Sequence, residues 1–252
     1  MTLPQFFYLD WQFWSALVAL VALVLSQLPP IIPRFFSGKL EVQVYGRLFL
    51  DHFLGNPTAQ LLIAVENVGG RTIKVHGISI KMRRGIENFV LQGQNYLETQ
   101  ASETTVLLSP FKLSANREWK HIVNFNTELA MVEEKATKAL ISKVKGDLRK
   151  RRNSRTPEEL KSNAMVDATP ALTAEAMTIF DRRFKWEPGE YELDLEIEAE
   201  PSVGSYSGPF RFTLWESDSS DLKAQTINYS RGFGVCLPLE EYGVLVSISS
   251  RP

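Results

Sequence analysis

Three histidines, His52, His76 and His121, and a single cysteine, Cys236, are the side chains of this chain best suited to hold a metal or to attack a carbonyl. A zinc site needs three or four ligands at defined spacings. Here the histidines fall one by one on different predicted strands and loops, and Cys236 is distant from all of them in sequence. Each therefore reads as a surface or packing residue. A Cys–His nucleophile pair on Cys236 needs the fold to bring a histidine to it. Val235 and Leu237 flank the thiol, and burial in an apolar run is the plainer reading.

Carboxylates form the second set. Glu190, Glu192, Asp194, Glu196 and Glu198 alternate with Tyr191, Leu193, Leu195 and Ile197. Paired carboxylates can exchange protons with a substrate, but five at period two line one strand face. That pattern gives a solvated face or an acidic binding face. Asp218 and Asp221, with serines between them, fall short of the compact oxygen cage that calcium takes. Gly69-Gly70 and Gly232-Phe233-Gly234 lack the strand-to-helix setting and the Lys or Asp of a nucleotide loop. These residues assign no catalytic group, cofactor or metal, and indicate no small-molecule substrate.

The third set is basic. Lys135 to Arg155 holds nine basic residues and one acid, Asp147, which gives +8; the whole chain is −1, so the remainder is −9. Such asymmetry bears on partners. Lys143, Lys145, Arg149, Lys150, Arg151, Arg152 and Arg155 suit contact with phospholipid headgroups or an acidic protein; a solvated loop is the plain alternative. Nucleic acid fits less well, because the body is acidic and no aromatic side chains interleave with the cluster.

The chain that must position these groups begins with Trp11 to Leu28, which contains no charge. Taken from Phe6 it reaches the length of about 20 residues that a membrane span requires. Trp11 and Trp14 suit an interfacial belt, and Pro29, Pro30 and Pro33 end the helix. A cleaved signal peptide is disfavoured by the missing basic n-region. A buried core helix normally carries a polar stripe, which this one lacks. The expectation is a single-pass anchor with a short tail, residues 1–10, and a Pro-rich linker, residues 29–38. Arg34, Lys39 and Arg47 follow it, which places the large domain on the cytoplasmic side by the positive-inside rule. The margin is a few charges, so the opposite orientation stays open.

Beyond the linker, period-two segments predict strands at Lys39–Leu50, Gln60–Glu66, Thr72–Lys81, Glu87–Leu91, Thr104–Leu108 and Trp119–Phe125. Across Gly69-Gly70 the chain either makes a hairpin or bends across to a facing sheet. Residues 127–181 change to helical spacing: Leu129, Val132, Ala136, Leu140 and Val144 predict a helix over Thr127–Lys145. A basic loop follows. A capped helix starts at Thr156-Pro157-Glu158-Glu159, and a further one spans Ala171–Phe180. Strands resume at Tyr191–Ile197 and at Phe210–Leu214. Val244–Ile248 is a last edge strand or a tail.

The segment Trp186-Glu187-Pro188-Gly189-Glu190-Tyr191-Glu192-Leu193 resembles the penultimate hairpin of immunoglobulin-like and fibronectin-like modules, and Asn67-Val68-Gly69-Gly70 resembles an early turn of bacterial members. That resemblance implies a mainly β protein: an antiparallel β-sandwich, residues 39–126 and 182–252, interrupted by a helical, basic insertion. It implies no reaction. The function expected is a non-enzymatic, membrane-anchored binding, scaffold or sensor module that recruits a protein partner or a second copy of itself. The alternatives are an auxiliary subunit of a membrane complex and a membrane-tethered hydrolase.

Overall fold

A computed structural model describes residues 11–27, 37–99, 104–156, 165–237 and 243–251. Eleven strands form one antiparallel ladder: β1 (Leu40–Phe53), β2 (Asn56–Asn67), β3 (Ile73–Arg84), β4 (Glu87–Leu97), β5 (Thr105–Leu107), β6 (Phe111–Leu113), β7 (Glu118–Asn126), β8 (Gly189–Glu200), β9 (Tyr206–Leu214), β10 (Val244–Ser247) and β11 (Ser249–Ser250). The order is β10-β1-β2-β7-β4-β3-β8-β9-β11. Alternation decides which face is buried. In β8, Tyr191, Leu193, Leu195 and Ile197 point into the core while the acidic residues face outward.

Two strands change layers, and they make the ladder a nearly closed barrel. The first half of β4 pairs with β3 through Gln92, and its second half pairs with β7 from Gln92 to Leu97. The register shifts between Gly93 and Asn95, a bulge that bends the strand. A Cβ on Gly93 would lie 2.8 Å from the Ile78 carbonyl, so only glycine fits the corner. The terminal segment does the same. β10 pairs with β1 from Arg47 to Leu50, and β11 pairs with β9 at Arg211 and Phe210. Val244–Ile248 is therefore the closing strand of the barrel.

The immunoglobulin-like sandwich is corrected on this ground. In a sandwich the two sheets stay separate; here one ladder runs through both layers. The bend at Gly69-Gly70 carries the chain from β2 to β3, which do not pair. The buried Asn67 organises that crossing. Its Nδ2 donates to the Arg71 and Leu113 carbonyls at 2.8 and 2.9 Å, and its Oδ1 accepts from the Gly69 N–H at 3.0 Å.

The membrane anchor is corrected as well. α1 (Trp11–Gln27) has 17 residues, which rise about 26 Å, short of the roughly 30 Å hydrocarbon core. Among the described residues no helix is long and apolar enough to cross a membrane. The further turn counted from Phe6, and the prolines after Leu28, lie outside the described residues. The single-pass placement, the cytoplasm-facing domain and the lipid contact through an anchor fall with it. So do the membrane-anchored module, the auxiliary subunit and the tethered hydrolase.

Helices cover one end of the barrel. α2 (Met131–Asn153) is longer than its apolar spacing predicts, because the Lys- and Arg-rich segment expected as a loop is helical. Its buried face is Thr137, Leu140 and Val144; Val132 and Ala136 are exposed. α3 (Pro170–Arg183) begins on a proline, whose fixed φ suits a first helical position. α4 (Glu216–Ala224) and a 3-10 turn, Gln225–Arg231, occupy a stretch that sequence periodicity leaves unassigned. The capped helix expected after Thr156 lies outside the described residues.

Replacing Asn67 by leucine removes three hydrogen bonds to the backbone, one at the buried Leu113 carbonyl and two at partly buried groups, and supplies none. The expected loss is about 3 kcal/mol. Urea unfolding checks it: the midpoint falls while the slope stays that of the unaltered protein.

Candidate functional site

The three histidines are held far apart in role and in partner. His52 on β1 is buried. Its Nε2–H donates to the Leu222 carbonyl at 2.9 Å, and its Nδ1 accepts the Gly55 N–H at 3.3 Å. Both ring nitrogens are spent on backbone, so the ring joins the β1–β2 turn to α4 and touches no open surface. His76 on β3 lies 3.4 Å from the Glu200 carboxylate. His121 on β7 packs on Trp119 and Tyr96, with ring centroids 4.7 Å from each, and its Nδ1 faces the Leu97 and Glu98 carbonyls at 3.2 Å. Among the described residues no three His, Cys, Asp or Glu side chains gather as metal ligands. Burial raises the Cys236 thiol pKa, which disfavours the thiolate a nucleophile requires.

Sequence reasoning missed the buried polar cluster around His52. Asp51 accepts the His52 backbone N–H at 2.8 Å, and burial raises its carboxyl above the ordinary range. Gln225 and Tyr229, each 1% exposed, keep their side-chain polar atoms without a hydrogen-bond partner among the described residues. Burial, with the Asp51 charge, pushes the Tyr229 phenol up. Trp186, fully buried, donates from Nε1 to the Asp51 carbonyl at 2.7 Å, and its own carbonyl accepts the Ser219 hydroxyl at 2.7 Å. These contacts fasten the helical cap to the barrel. No spacing in the sequence announces them, since the partners come from β1, α4 and the 3-10 turn.

The outer face of β8 is a ladder of ion pairs with its neighbours. Glu196 pairs with Lys81 at 2.7 Å; Glu192 pairs with Arg83 and, at 2.7 Å, with Arg251. The Arg83 hydrogen bond holds Glu192 below its ordinary pKa. Glu190, Asp194 and Glu198 make no ion pair among the described residues. Asp218 closes a capping interaction by accepting the Trp215 N–H at 3.1 Å, and so serves α4 rather than a cation.

The basic residues lie together on α2 and just past its end. Leu140 and Val144 turn one side of the helix inward, and Ala176, Ile179 and Phe180 of α3 belong to the same core. The buried Arg183 donates from Nη2 to the Glu133 carbonyl at 3.4 Å, along the first turn of α2. Near the other end, Asp147 accepts the Thr169 N–H at 2.7 Å and the Thr169 hydroxyl at 3.0 Å. That backbone hydrogen bond is the main reason its carboxyl sits below the ordinary range. Asp147 thus caps the start of α3 from the neighbouring helix.

Pairing divides the cations. Lys138 bonds Glu134, Lys143 lies 3.4 Å from Glu175, Arg151 bonds Asp147 at 3.0 Å and the Thr169 hydroxyl at 2.9 Å, and Arg155 donates to the Met165 carbonyl. Lys135, Lys145, Arg149, Lys150 and Arg152 make no ion pair among the described residues, and all five are exposed. Lys145, Arg149 and Arg152 follow at i, i+4 and i+7, the spacing of one helical stripe. That stripe turns away from Leu140 and Val144 and faces solvent.

No family model and no curated protein matches the chain. A solved structure with a distant likeness is that of the sporulation control protein Spo0M from Bacillus subtilis, at 9% identity and a TM-score of 0.29; the match covers 77% of this chain and 56% of that one. The chain thus matches little more than half the length of that neighbour.

The His52 geometry sets a pH dependence. Burial lowers its pKa in the fold, so between that lowered value and about 6.5 the unfolded chain binds more protons than the native one. Stability is then lost as pH falls below about 6.5, at up to about 1.4 kcal/mol per unit. Asp51, with its raised pKa, works in the opposite sense nearer pH 4 and partly offsets the loss. Urea titrations from pH 8 to pH 5 check this, with the slope flattened in His52→Gln.

Proposed function

We propose that the chain is a non-catalytic binding module whose docking face is the outer stripe of α2, and that its partner is an acidic polypeptide. The observation that carries this reading is the division of the cations: Lys145, Arg149 and Arg152 share one exposed stripe and have no acidic neighbour to neutralise them. On the outer face of β8, by contrast, Glu196 and Glu192 are paired across strands with Lys81 and Arg83. Unpaired like charges in one row repel each other weakly in the free protein. An anionic partner relieves that repulsion and is drawn in by long-range attraction.

An acidic polypeptide fits better than nucleic acid. No aromatic side chain lies on the stripe to stack on a base, and the remainder of the chain carries −9, which repels a long phosphate backbone. A short acidic segment meets the stripe without spanning the acidic body. The helix C-terminus, with its partial negative charge, favours cations in the last turn and so supports keeping Lys150, Arg151 and Arg152 there.

Fluorescence anisotropy with a labelled poly-glutamate peptide tests the reading. Binding is expected at low salt and is expected to weaken as salt rises. The triple reversal Lys145→Glu, Arg149→Glu and Arg152→Glu should lower affinity at least tenfold. It should leave the urea midpoint nearly unchanged, because the three side chains are exposed. Equal binding by the triple variant, or a preference for single-stranded DNA over poly-glutamate, overturns the proposal.

A further inference from the structure

Three carboxylates stand side by side on β1, β2 and β7. In the ladder Glu41 is opposite Glu66, and Glu66 is opposite Glu118. Their chain neighbours Val42, Val65 and Trp119 turn toward the core. The alternation of a strand therefore sends all three carboxylates to the outer face. Glu41 and Glu118 are exposed and Glu66 is half-buried. Adjacent strands lie about 4.8 Å apart, so the row spans about 10 Å.

Like charges directly opposite one another on a sheet repel. On β8 that cost is met by cations on the neighbouring strands, Lys81 for Glu196 and Arg83 for Glu192. The row across β1, β2 and β7 has no such relief: none of its three members makes an ion pair among the described residues. Lys120 shares the outer face, one alternate step from Glu118. Its ammonium donates to the Tyr45 hydroxyl and sits 4.3 Å from the centroid of that ring.

The α2 stripe has the complementary charge and a matching length. Lys145, Arg149 and Arg152 are separated by four and three residues, which rise about 6 and 4.5 Å along the axis. The stripe thus spans about 10 Å, with steps close to the strand spacing. A helix laid across the strands brings one cation to each carboxylate. Within one chain the two sets do not meet, since neither makes an ion pair among the described residues. Two copies can approach, because the net charge of each is only −1.

We propose that the acidic partner of α2 is a second copy of this chain, and that its docking surface is the row Glu41, Glu66 and Glu118. The proposal rests on the reading of α2 given above and names the partner of that same face. The planar guanidinium groups of Arg149 and Arg152 suit carboxylates, each of which can accept two parallel N–H bonds. Each set is self-repelling alone, and docking relieves both at once. The contact is made of exposed charges, so it is weak and responds to salt.

Sedimentation equilibrium of the full chain, up to about 1 mM, is the test. In about 10 mM salt the average mass should rise with concentration above that of the monomer, and in about 1 M salt it should not. The row reversal Glu41→Lys, Glu66→Lys and Glu118→Lys should be monomeric alone and still bind poly-glutamate. The α2 triple reversal should also be monomeric alone. Mixed in equal amounts, the two reversals should associate, because each then offers the charge the other lacks. The single change Glu66→Gln, at the centre of the row, should weaken self-association at least threefold. Association that survives either reversal, or no association in the mixture, overturns the proposal. An unaltered chain that binds poly-glutamate yet stays monomeric overturns self-docking and leaves the α2 reading standing; one that does neither overturns both.

Discussion

A strand that must serve two layers at once is the constraint on which this fold depends. β4 pairs with β3 in one layer and with β7 in the other, and the transition occurs at Gly93, where the Ile78 carbonyl leaves no room for a side chain. The bulge there turns the strand without breaking its pairing on either side. With that corner in place the ladder of the described residues is left open between β1 and β9. The closing segment spans the seam by repeating the manoeuvre at Ile248, whose N–H donates to the Gly46 carbonyl at 3.0 Å. A barrel gains by this arrangement because closure removes unpaired strand edges. The short reach of β11 means closure is incomplete, and the residual edge falls on β9.

The second dependency is the helical cap. Its apolar contacts alone would let α3 and α4 slide over the barrel end; directional bonds to backbone prevent that. His52, Trp186 and Ser219 each spend a polar atom on a main-chain carbonyl of a distant segment. A Cβ on Gly55, at φ 79°, would lie 2.5 Å from the Phe180 carbonyl, so the β1–β2 turn and α3 approach with backbone against backbone. The cost is a small polar cluster in an apolar setting, where Asp51 and His52 have pKa values displaced in opposite directions. With the cap fixed, α3 is fixed, and Asp147 and Arg183 then hold α2 against it at two points about four turns apart along the helix.

Strand content was legible because period two is a strong local signal. β8 reads directly from Tyr191 to Ile197, and β7 from Trp119 to Phe125. Layer membership was not legible, because Gly93 carries the corner by what it lacks, and its neighbour Ile78 is distant in sequence. The turn at Gly69-Gly70 admitted two paths, and only the pairing of Asn67 with the Leu113 carbonyl selects one. On α2 the apolar spacing pointed to Val132 and Ala136, yet the helix buries Thr137 instead, whose hydroxyl is satisfied by the Glu133 carbonyl at 2.7 Å. An intrahelical bond of that kind makes a polar residue acceptable in a core face. The basic stretch reads as a loop because Gly146 weakens the helix before it, yet the helix continues through Gly146 to Asn153, with Leu148 against the core and Asp147 bonded to Thr169. At the chain start, composition outweighed length: Trp11–Gln27 is uncharged throughout but 17 residues long.

Where a charge sits relative to its neighbours decides whether it can act on a partner. The five carboxylates of β8 look like an acidic surface in sequence, yet cross-strand geometry places Lys81 directly opposite Asp194 and Arg83 opposite Glu192. A charge with an opposite neighbour at strand spacing has little field left at a distance. The cations of α2 differ because a helix offers neighbours only at i±3 and i±4. Around Lys145 those positions hold Ile141, Ser142, Leu148 and Arg149, and none is acidic. Its field is therefore uncompensated within its own element, and the nearest body of negative charge belongs to other faces of the molecule. The same reasoning separates Arg211 from Arg251. Both lie on the outer face beside β8, but Glu192 is already claimed by Arg83 and Arg251, and Arg211 makes no ion pair among the described residues.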